Sequence, residues 1–379
     1  MASGVKPFDT IVIGAGIIGL AAACHLTRRG QRVLVLEKDF PGAGSSGRCI
    51  GGIRQQFSTE GSIRLMQESV RQFARMEEEF GFSVEYHTGG YLFLAHDRQR
   101  LEAFRSIMPL QKKLGLDVRL LSVDDILAIV PPLNAEGLFG GVYSPADGQA
   151  YPFKVLDGYC GEIRRQGSEI KMFTPVTAIV VERGKARGVR TAAGDTYEAE
   201  AVLNAAGPWA KDVAAMAGVE IPFHAEEHEA LITTRLNRLF EPMIVDYRVD
   251  GCYFQQRANG QVIGCYTPNP NKPGIHTDAS MEFLLEMSRR TVRLIPALAQ
   301  ARVIRHWGGC YEMTPDGSPI VDATAIKGFY VAIGMCGHGF MFGPAMGKFI
   351  AQIMLEGTYP YDWSEFKIGR DFSRLELMK

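Results

Sequence analysis

The segment from residue 9 to residue 38 constrains the fold most strongly, because it alternates a strand pattern, a glycine-rich turn, a helix pattern and a second strand pattern. A β-branched run at residues 10–13 leads into the sequence GAGIIG, and an alanine- and leucine-rich stretch then extends to Gly30, which ends the predicted helix. The apolar run Val33–Leu36 follows, and Glu37 ends it. This order is typical of a βαβ unit with a G-x-G-x-x-G turn at its first crossover. The sequence therefore predicts an α/β fold with a Rossmann-like parallel sheet.

Each glycine of this turn has its own physical role in binding a dinucleotide. Gly14 permits the tight turn, Gly16 lets a pyrophosphate approach the backbone, and Gly19 lets the helix lie close to the strand. The helix N-terminus offers unpaired N–H groups and partial positive charge to the phosphates. Glu37 stands where a carboxylate accepts from a ribose hydroxyl, which argues against NADP and leaves FAD and NAD. The alternative is a glycine-rich turn without a ligand. The cofactor-binding candidates here are Gly14, Gly16, Ile17, Ile18, Gly19, Glu37 and Lys38.

Length, charge and cysteine content limit the classes of function. A chain of 379 residues with 46% hydrophobic residues is long enough for two domains that share an interface. Its net charge of -1 does not indicate nucleic acid or an anionic membrane as a partner. The seven cysteines form no C-x-x-C pair, which favours a reduced, cytoplasmic protein without disulfides or a metal site. Residues 1–7 lack the apolar region of a signal peptide, and no apolar run is long enough for a transmembrane helix.

Two further segments favour FAD over NAD. The glycine- and serine-rich loop at residues 41–52 directly follows the second strand, and its N–H and hydroxyl groups can line a cofactor, unless it is an ordinary surface loop. Later, a hairpin of Val176–Glu182 and residues 187–191, with a strand at 196–199, precedes a buried strand that runs into AGPW. Such a meander is the FAD-binding arrangement, although other mixed domains also contain meanders. The candidates from these segments are Gly44, Ser45, Ser46, Gly51, Gly52, Val176, Ala206, Gly207 and Trp209.

The last third of the chain returns to the cofactor. Residues 309–322 read as a cluster of turns, Phe329–Ile333 as a buried strand, and residues 344–355 as a helix with Pro344 in its first turn. A glycine loop leads into this helix, whose N-terminus can stabilise the negative charge of a reduced flavin. A plain strand–helix crossover is the alternative. The candidates here are Gly309, Gly337, His338, Gly339, Phe340 and Met341.

The order of the elements predicts a mixed α/β chain with two interleaved domains. A Rossmann-like FAD-binding domain of the glutathione-reductase type is expected at residues 1–83, 141–222 and 309–379, and an antiparallel-sheet substrate domain at residues 84–140 and 223–308. Within the first domain, apolar residues at spacings of three and four predict one helix from Ser58 or Thr59 to about Phe80.

Several motifs in this order resemble the FAD-dependent amine and amino-acid oxidoreductases of the D-amino-acid oxidase superfamily, and within it the branch of sarcosine oxidase, glycine oxidase and the L-proline dehydrogenase β-subunit. Besides the glycine turn and Glu37, they are GSSGRCIGGIRQQF from Gly44, NAAGPWA from Asn204, TPDGSPIV from Thr314 and GHGFMFGPAMGK from Gly337. The resemblance implies that FAD lies along the first domain and that a carbon–nitrogen bond is oxidised by hydride transfer to flavin N5, which gives an imine that water hydrolyses.

The resemblance also implies roles for individual residues. Arg54 falls at the position that binds the substrate carboxylate, which suits a planar guanidinium. Met341 replaces a second carboxylate-binding lysine, so Tyr253 or another side chain of the second domain is expected to take that part.

His338 either touches the flavin or substrate or bonds a backbone carbonyl. Cys310 lies one position away from a covalent flavin attachment site, so non-covalent FAD is expected. His228 and Tyr311 are weaker pocket-lining candidates.

The electron acceptor and the partners stay open at this stage. Val262 lies near where the related oxidases carry a lysine that promotes reaction with oxygen, which favours a dehydrogenase. The acceptor is then oxygen, a quinone or a partner subunit of a hetero-oligomer. Two other functions compete with amine oxidation: a flavoprotein assembly factor that binds FAD without turnover, and an FAD-dependent α-hydroxy-acid dehydrogenase.

Overall fold

The computed structural model describes residues 7–378, and its strands form two large sheets and one small one. In chain order the strands are β1 Phe8–Ile13, β2 Val33–Leu36, β3 Gly52–Ile53, β4 Tyr91–Ala95, β5 Arg119–Leu121, β6 Gly140–Ser144, β7 Gly148–Gln149, β8 Glu169–Lys171, β9 Val176–Glu182, β10 Lys185–Thr191, β11 Thr196–Asn204, β12 His224–Arg235, β13 Met243–Asp246, β14 Tyr253–Gln256, β15 Gln261–Tyr266, β16 Val303–Met313, β17 Ile320–Ala323 and β18 Phe329–Ile333. The α-helices are α1 Ile17–Arg28, α2 Ser45–Arg48, α3 Glu60–Phe73, α4 Met76–Phe80, α5 Arg98–Lys113, α6 Val123–Ile129, α7 Pro152–Arg165, α8 Ala210–Ala215, α9 Met281–Leu294 and α10 Gly339–Glu356. The signal-peptide prediction concerns residues that lie almost wholly outside the described range.

The first large sheet contains the predicted βαβ unit. Its strand order is β17-β18-β11-β1-β2-β8, and β10 and β9 extend it from β11 as an antiparallel meander. Strand β1 pairs in parallel with β2 on one side and with β11 on the other. Most residues of helix α1 are buried, since α10 packs over it. The two helices are so close that a Cβ on Gly347 would lie 2.4 Å from the backbone of Ala21. The predicted Rossmann-like fold is confirmed, and the two strands predicted between residues 196 and 205 form the single strand β11.

The second large sheet is antiparallel except where β4 pairs with β13. Its order is β16-β12-β15-β14-β13-β4-β6-β5. Helix α9 covers one face, where Phe254 and Val262 cluster with Phe283 and Met287 of the helix. Two predicted domain boundaries, at 140/141 and 308/309, fall inside strands β6 and β16 of this sheet. The division of the chain into domains stays a prediction.

The prediction of turns over residues 309–322 was wrong at both ends, because residues 309–313 belong to β16 and residues 320–322 belong to β17. Residues 309–313 complete the long strand β16, which pairs antiparallel with β12 so that Gly309 lies opposite His228 and Met313 opposite His224. The partner strand supplies backbone hydrogen bonds that a local sequence pattern does not show, and it holds this glycine-containing segment extended.

Two helix predictions also need correction. The single helix expected up to residue 80 is divided into α3 and α4, which ends at Gly81 in the left-handed conformation. Helix α10 begins at Gly339 rather than at Pro344, and the N–H of Phe342 donates to the carbonyl of His338 in its first turn. Gly343 lets this part of α10 lie close to α1, because a Cβ there would lie 2.3 Å from the side chain of Ile17. Pro344 is therefore inside the helix.

No helix within residues 7–378 combines the length and the apolar character that crossing a bilayer requires.

Candidate cofactor and substrate site

One elongated cavity of about 1040 Å³ lies between the two large sheets. It extends from the glycine turn after β1 to the N-terminus of α10 and the second sheet. All of the predicted cofactor-binding residues line it except Gly19 and Gly51, and both Arg54 and Tyr253 line it as well. The structure thus brings motifs that are far apart in sequence to one continuous space, while the contacts of these residues with a cofactor stay predictions.

The glycine turn has no room for side chains at its first and third glycines. Gly14 has a φ of +104°, and a Cβ there would lie 2.5 Å from the carbonyl oxygen of Ala205. A Cβ on Gly19 would lie 2.0 Å from the carbonyl oxygen of Gly14, so this residue serves helix–strand packing rather than the cavity wall. Gly16 faces the cavity with only the Ser46 hydroxyl nearby. The turn therefore presents bare backbone to a ligand, as a pyrophosphate requires.

Glu37 links the turn to the end of β2. Its carboxylate accepts hydrogen bonds from the N–H of Ala15 at 2.8 Å and from the N–H of Asp39 at 2.9 Å. Lys38, the next residue, places its ammonium 3.4 Å from the ring centroid of Trp209 across the cavity. A carboxylate oxygen has lone pairs for two donors, so Glu37 can still accept from ribose hydroxyls.

The loop after β2 is hydrogen bonded to both sheets. Ser46 accepts from the N–H of Ile17 at 2.9 Å, and Ser45 donates to the carbonyl of Cys310 at 2.8 Å. Ser45 also lies 3.3 Å from the carboxyl of Glu312, a cavity-lining residue that the sequence did not single out. Burial raises the pKa of Glu312 to about 7. The backbone cradle, the two helix N-termini and the length of the cavity fit an extended dinucleotide.

The shifted pKa of Glu312 predicts a pH dependence of stability. Between about pH 4.5 and 7 the folded protein keeps a proton that the unfolded chain has released, so this group's contribution to the free energy of unfolding falls as the pH rises. Glu312→Gln removes this titration, and we expect the variant to gain on the order of 2–3 kcal/mol relative to the native protein between pH 5 and pH 8. Urea unfolding of both flavin-loaded proteins across this range measures it, and parallel pH profiles would contradict it.

Arg54 is buried at the other end of the cavity and has protein acceptors on both terminal nitrogens. Its guanidinium donates to the carbonyls of Gln56 and Met378, and its carbon lies 4.1 Å from the ring centroid of Phe57. The nitrogen Nη2 is also 2.9 Å from Nε2 of His338. Since arginine can only donate, Nε2 of His338 accepts this bond. The structure thus joins the two predicted catalytic residues Arg54 and His338 directly.

A segment at residues 375–378, which the sequence analysis did not consider, lines the cavity beside Arg54. The buried carboxylate of Glu376 fixes it by accepting from the N–H of Ser58 at 2.9 Å, from its hydroxyl at 2.6 Å and from the hydroxyl of Thr59 at 3.3 Å. The carbonyl of Met378 is thereby held where it accepts a hydrogen bond from Arg54. No local sequence signal indicates this contact, which spans more than 300 positions.

The second sheet contributes an uncharged wall. The hydroxyls of Tyr253 and Tyr311 are 2.8 Å apart, and the thiol of Cys265 lies 2.7 Å from the hydroxyl of Tyr253. The ring of His228 stacks on Tyr311 with centroids 3.7 Å apart. Burial lowers the pKa of His228 to about 3 and raises the pKa of both tyrosines well above the usual range. Burial also raises the pKa of the Cys265 thiol to about 12, so all four side chains are neutral at pH 7.

A βαβ unit with a bare glycine turn, together with a second helix N-terminus at the far end of the same cavity, defines a dinucleotide-binding protein of the flavin type. Residues 9–353 match the family model described as "FAD dependent oxidoreductase", and the chain belongs to this family. Membership of this family agrees with the FAD cofactor and the oxidoreductase class that the sequence motifs predicted.

Named relatives in this family cover almost the whole chain. It is 26% identical over 385 residues to the mitochondrial dimethylglycine dehydrogenase of Homo sapiens, covering 96% of this chain but 44% of that protein. It is 29% identical over 377 residues to sarcosine oxidase subunit beta of Rhizobium meliloti (strain 1021), covering 96% and 89% of the two chains. The structure of L-proline dehydrogenase from P. horikoshii superposes with a TM-score of 0.90 at 32% identity, covering 96% and 97%. The chain thus spans less than half the length of the dimethylglycine dehydrogenase.

Proposed function

We propose that this protein oxidises the carbon–nitrogen bond of a small amino acid or secondary amine that carries a carboxylate, such as sarcosine, glycine or proline. The observation that carries the proposal is the buried guanidinium of Arg54 beside the N-terminus of α10, within the cavity that leads from the glycine turn. The names of the relatives, which refer to sarcosine, dimethylglycine and proline, support this substrate class.

The side chains around Arg54 suit an amino-acid substrate. FAD, when bound, supplies the acceptor for two electrons. Arg54 holds the substrate carboxylate in a bidentate geometry and so fixes the neighbouring carbon in one orientation. The neutral wall of Tyr253, Tyr311 and His228 gives no charge partner to an ammonium group, so the amine binds preferentially in its neutral, oxidisable form.

His338 acts in this proposal as a positioning residue. Its Nε2 accepts from Nη2 of Arg54, and its ring lies edge-on to Phe57 with centroids 5.1 Å apart. These contacts restrict the guanidinium to one plane, which a planar carboxylate must share to be bound through two hydrogen bonds.

The position of Val262 gives no information about the electron acceptor. This side chain packs on the α9 side of the second sheet, away from the cavity, while Ile263 and Cys265 belong to the core on the cavity side. Among the cavity-lining residues that the structure describes, the only lysine is Lys38, which lies at Trp209. We therefore base the dehydrogenase proposal on the lack of a lysine beside Arg54 among residues 7–378. A quinone or a partner subunit is the preferred acceptor, in line with the subunit names among the relatives.

Because the carbonyl of Met378 occupies Arg54, a carboxylate ligand must displace it. Glu376→Ala removes the anchor of the 375–378 segment. We expect carboxylates such as propionate to bind the flavin-loaded variant about three- to tenfold more tightly, because they no longer compete with the hydrogen bond from Arg54 to Met378, which is worth roughly one net hydrogen bond. The flavin absorbance change measures the Kd. Glu365→Ala is the control, because Glu365 bonds Thr59 and Ser62 but makes no direct hydrogen bond to residues 375–378. Weaker binding in Glu376→Ala would contradict the competition.

Turnover with paired substrates tests the proposed reaction. Sarcosine, glycine and proline are compared with glycolate and lactate, using a dye and oxygen as alternative acceptors. We expect turnover with a secondary amine and the dye, with the corresponding aldehyde, ketone or cyclic imine as product. Turnover restricted to the hydroxy acids would replace the proposal by α-hydroxy-acid oxidation. Bound FAD without any turnover would favour an assembly role. The hetero-oligomer, the non-covalent attachment of FAD and the cytoplasmic location also stay predictions.

A further inference from the structure

A second arginine lines the cavity near Arg54, and it has no acceptor among residues 7–378. Arg100 lies in the first turn of α5, where its backbone N–H donates to the side chain of Asp97, and its guanidinium makes no hydrogen bond or ion pair within residues 7–378. The other cavity-lining arginines differ: Arg48 donates to the carbonyl of Gly308 at 2.9 Å, and Arg248 pairs with Asp246 at 2.6 Å. Among the arginines that line the cavity, Arg100 is thus the one whose guanidinium has no acceptor within residues 7–378.

The stability of α5 does not account for a cation at this position. The positive end of a helix dipole disfavours cations in the first turn, and Arg100 follows the N-cap residue Asp97 by three positions. The guanidinium instead turns onto the ring of Tyr247, with its carbon 4.8 Å from the ring centroid. Tyr247 itself lines the cavity, so this stacking keeps the cation at the cavity wall.

Arg54 and Arg100 lie on either side of a short aromatic surface. The guanidinium carbon of Arg54 is 5.4 Å from the ring centroid of Phe93, and the rings of Phe93 and Tyr247 are 5.5 Å apart. Of the nearby acids, Asp246 pairs with Arg248, and the carboxylate of Glu376 accepts from the hydroxyls of Ser58 and Thr59. An anion on this surface therefore meets two guanidinium groups.

We propose that Arg100 is a specificity residue that binds a second carboxylate of the substrate. The substrate is then an acidic amino acid or its N-alkyl derivative, with its α-carboxylate on Arg54 and its distal carboxylate on Arg100. This inference rests on the proposed function, since it assigns Arg54 to the α-carboxylate. A guanidinium binds a carboxylate through two parallel hydrogen bonds, which an amide of the same shape cannot replace.

Substrate pairs that differ only in charge test this assignment on the flavin-loaded protein. N-methylaspartate and N-methylglutamate are each compared with the side-chain amide, and the ratio of kcat/KM for acid and amide is measured. We expect this ratio to be about ten or more for one of the two chain lengths, and we expect the difference to lie mainly in KM. The expected ratio is modest because Arg100 is partly exposed, so that solvent screens its ion pair. In Arg100→Gln the ratio should fall to about one. Arg98→Gln is the matched control, because Arg98 is an exposed neighbour on the same helix that does not line the cavity.

A binding measurement separates failure of this inference from failure of the proposed reaction. Calorimetry compares glutarate with glutaramate on the native protein and on Arg100→Gln, and it requires no turnover. A preference for glutarate that Arg100→Gln abolishes supports the assignment even if no amine is oxidised. Equal acid-to-amide ratios in the native and Arg100→Gln proteins, with sarcosine still oxidised, would overturn it and leave the proposed function intact.

Discussion

Arg54→Met should lower kcat/KM for an amino-acid substrate by about a thousandfold, or ~4 kcal/mol, because truncating one member of a buried, hydrogen-bonded charge pair costs 2–5 kcal/mol. Methionine keeps much of the volume of the arginine stem but provides no donor for the carboxylate. Arg54→Lys keeps the charge without the planar fork, so its loss should be smaller, on the order of ten- to a hundredfold. Steady-state kinetics with sarcosine or proline measure both values.

The substitution needs a control, because Arg54 also donates to Gln56 and Met378. Flavin content and thermal unfolding show whether the variant is folded. The sharper control is a substrate without a carboxylate, such as sarcosine amide, on which Arg54→Met should have a much smaller effect. An equal loss on both substrates would show that Arg54 supports the fold rather than the carboxylate.

Gly14→Ala should give a protein without bound flavin. Alanine at a φ of +104° is strained, and its Cβ would lie 2.5 Å from the backbone oxygen of Ala205, so β1, β11 or the turn must shift. Because the phosphates are expected to bind the backbone of this turn, we expect FAD affinity to fall more than a hundredfold, which corresponds to about 3 kcal/mol. The flavin-to-protein ratio after purification and a fluorescence titration of the apoprotein measure the change.

Gly30→Ala is the matched control for this experiment. Gly30 also has a positive φ, +83°, but nothing lies within 4 Å of an added Cβ. This variant has backbone strain without the clash, so it should lose about 1 kcal/mol of stability and keep its flavin. If Gly14→Ala bound FAD as tightly as Gly30→Ala does, the turn would not be the phosphate site.

The βαβ unit and the meander could be predicted because their signals are local. Residues 10–36 follow strand, turn, helix and strand periodicity, and the hairpin at residues 176–191 has its turn within a few positions. The strand character of residues 309–313 was missed because it depends on pairing with β12, more than 70 residues earlier. The early start of α10 was missed because Pro344 was taken as a first-turn residue, whereas the helix begins at Gly339 and contains Pro344.

In the candidate site, too, residues in local motifs could be predicted, whereas residues that depend on tertiary contacts could not. The motifs identified the glycine turn and Arg54, but Glu312, Arg100 and the 375–378 segment reach the cavity only through tertiary contacts. Val262 shows a further limit: a shift of one residue along a strand turns a side chain to the opposite face, so a position near a family motif does not fix which face it occupies. Cys265, which lies on the cavity side of the same strand, contacts Tyr253 instead.

Anaerobic titration of the flavin-loaded protein with a secondary amino acid shows whether this site oxidises a carbon–nitrogen bond. We expect sarcosine, proline or an N-methyl acidic amino acid to remove the visible absorbance of the oxidised flavin, and we expect Arg54→Met to need a far higher concentration for the same effect. If none of these amines reduced the flavin while dithionite did, or if only an α-hydroxy acid did so, the assignment of this site to carbon–nitrogen oxidation would be wrong.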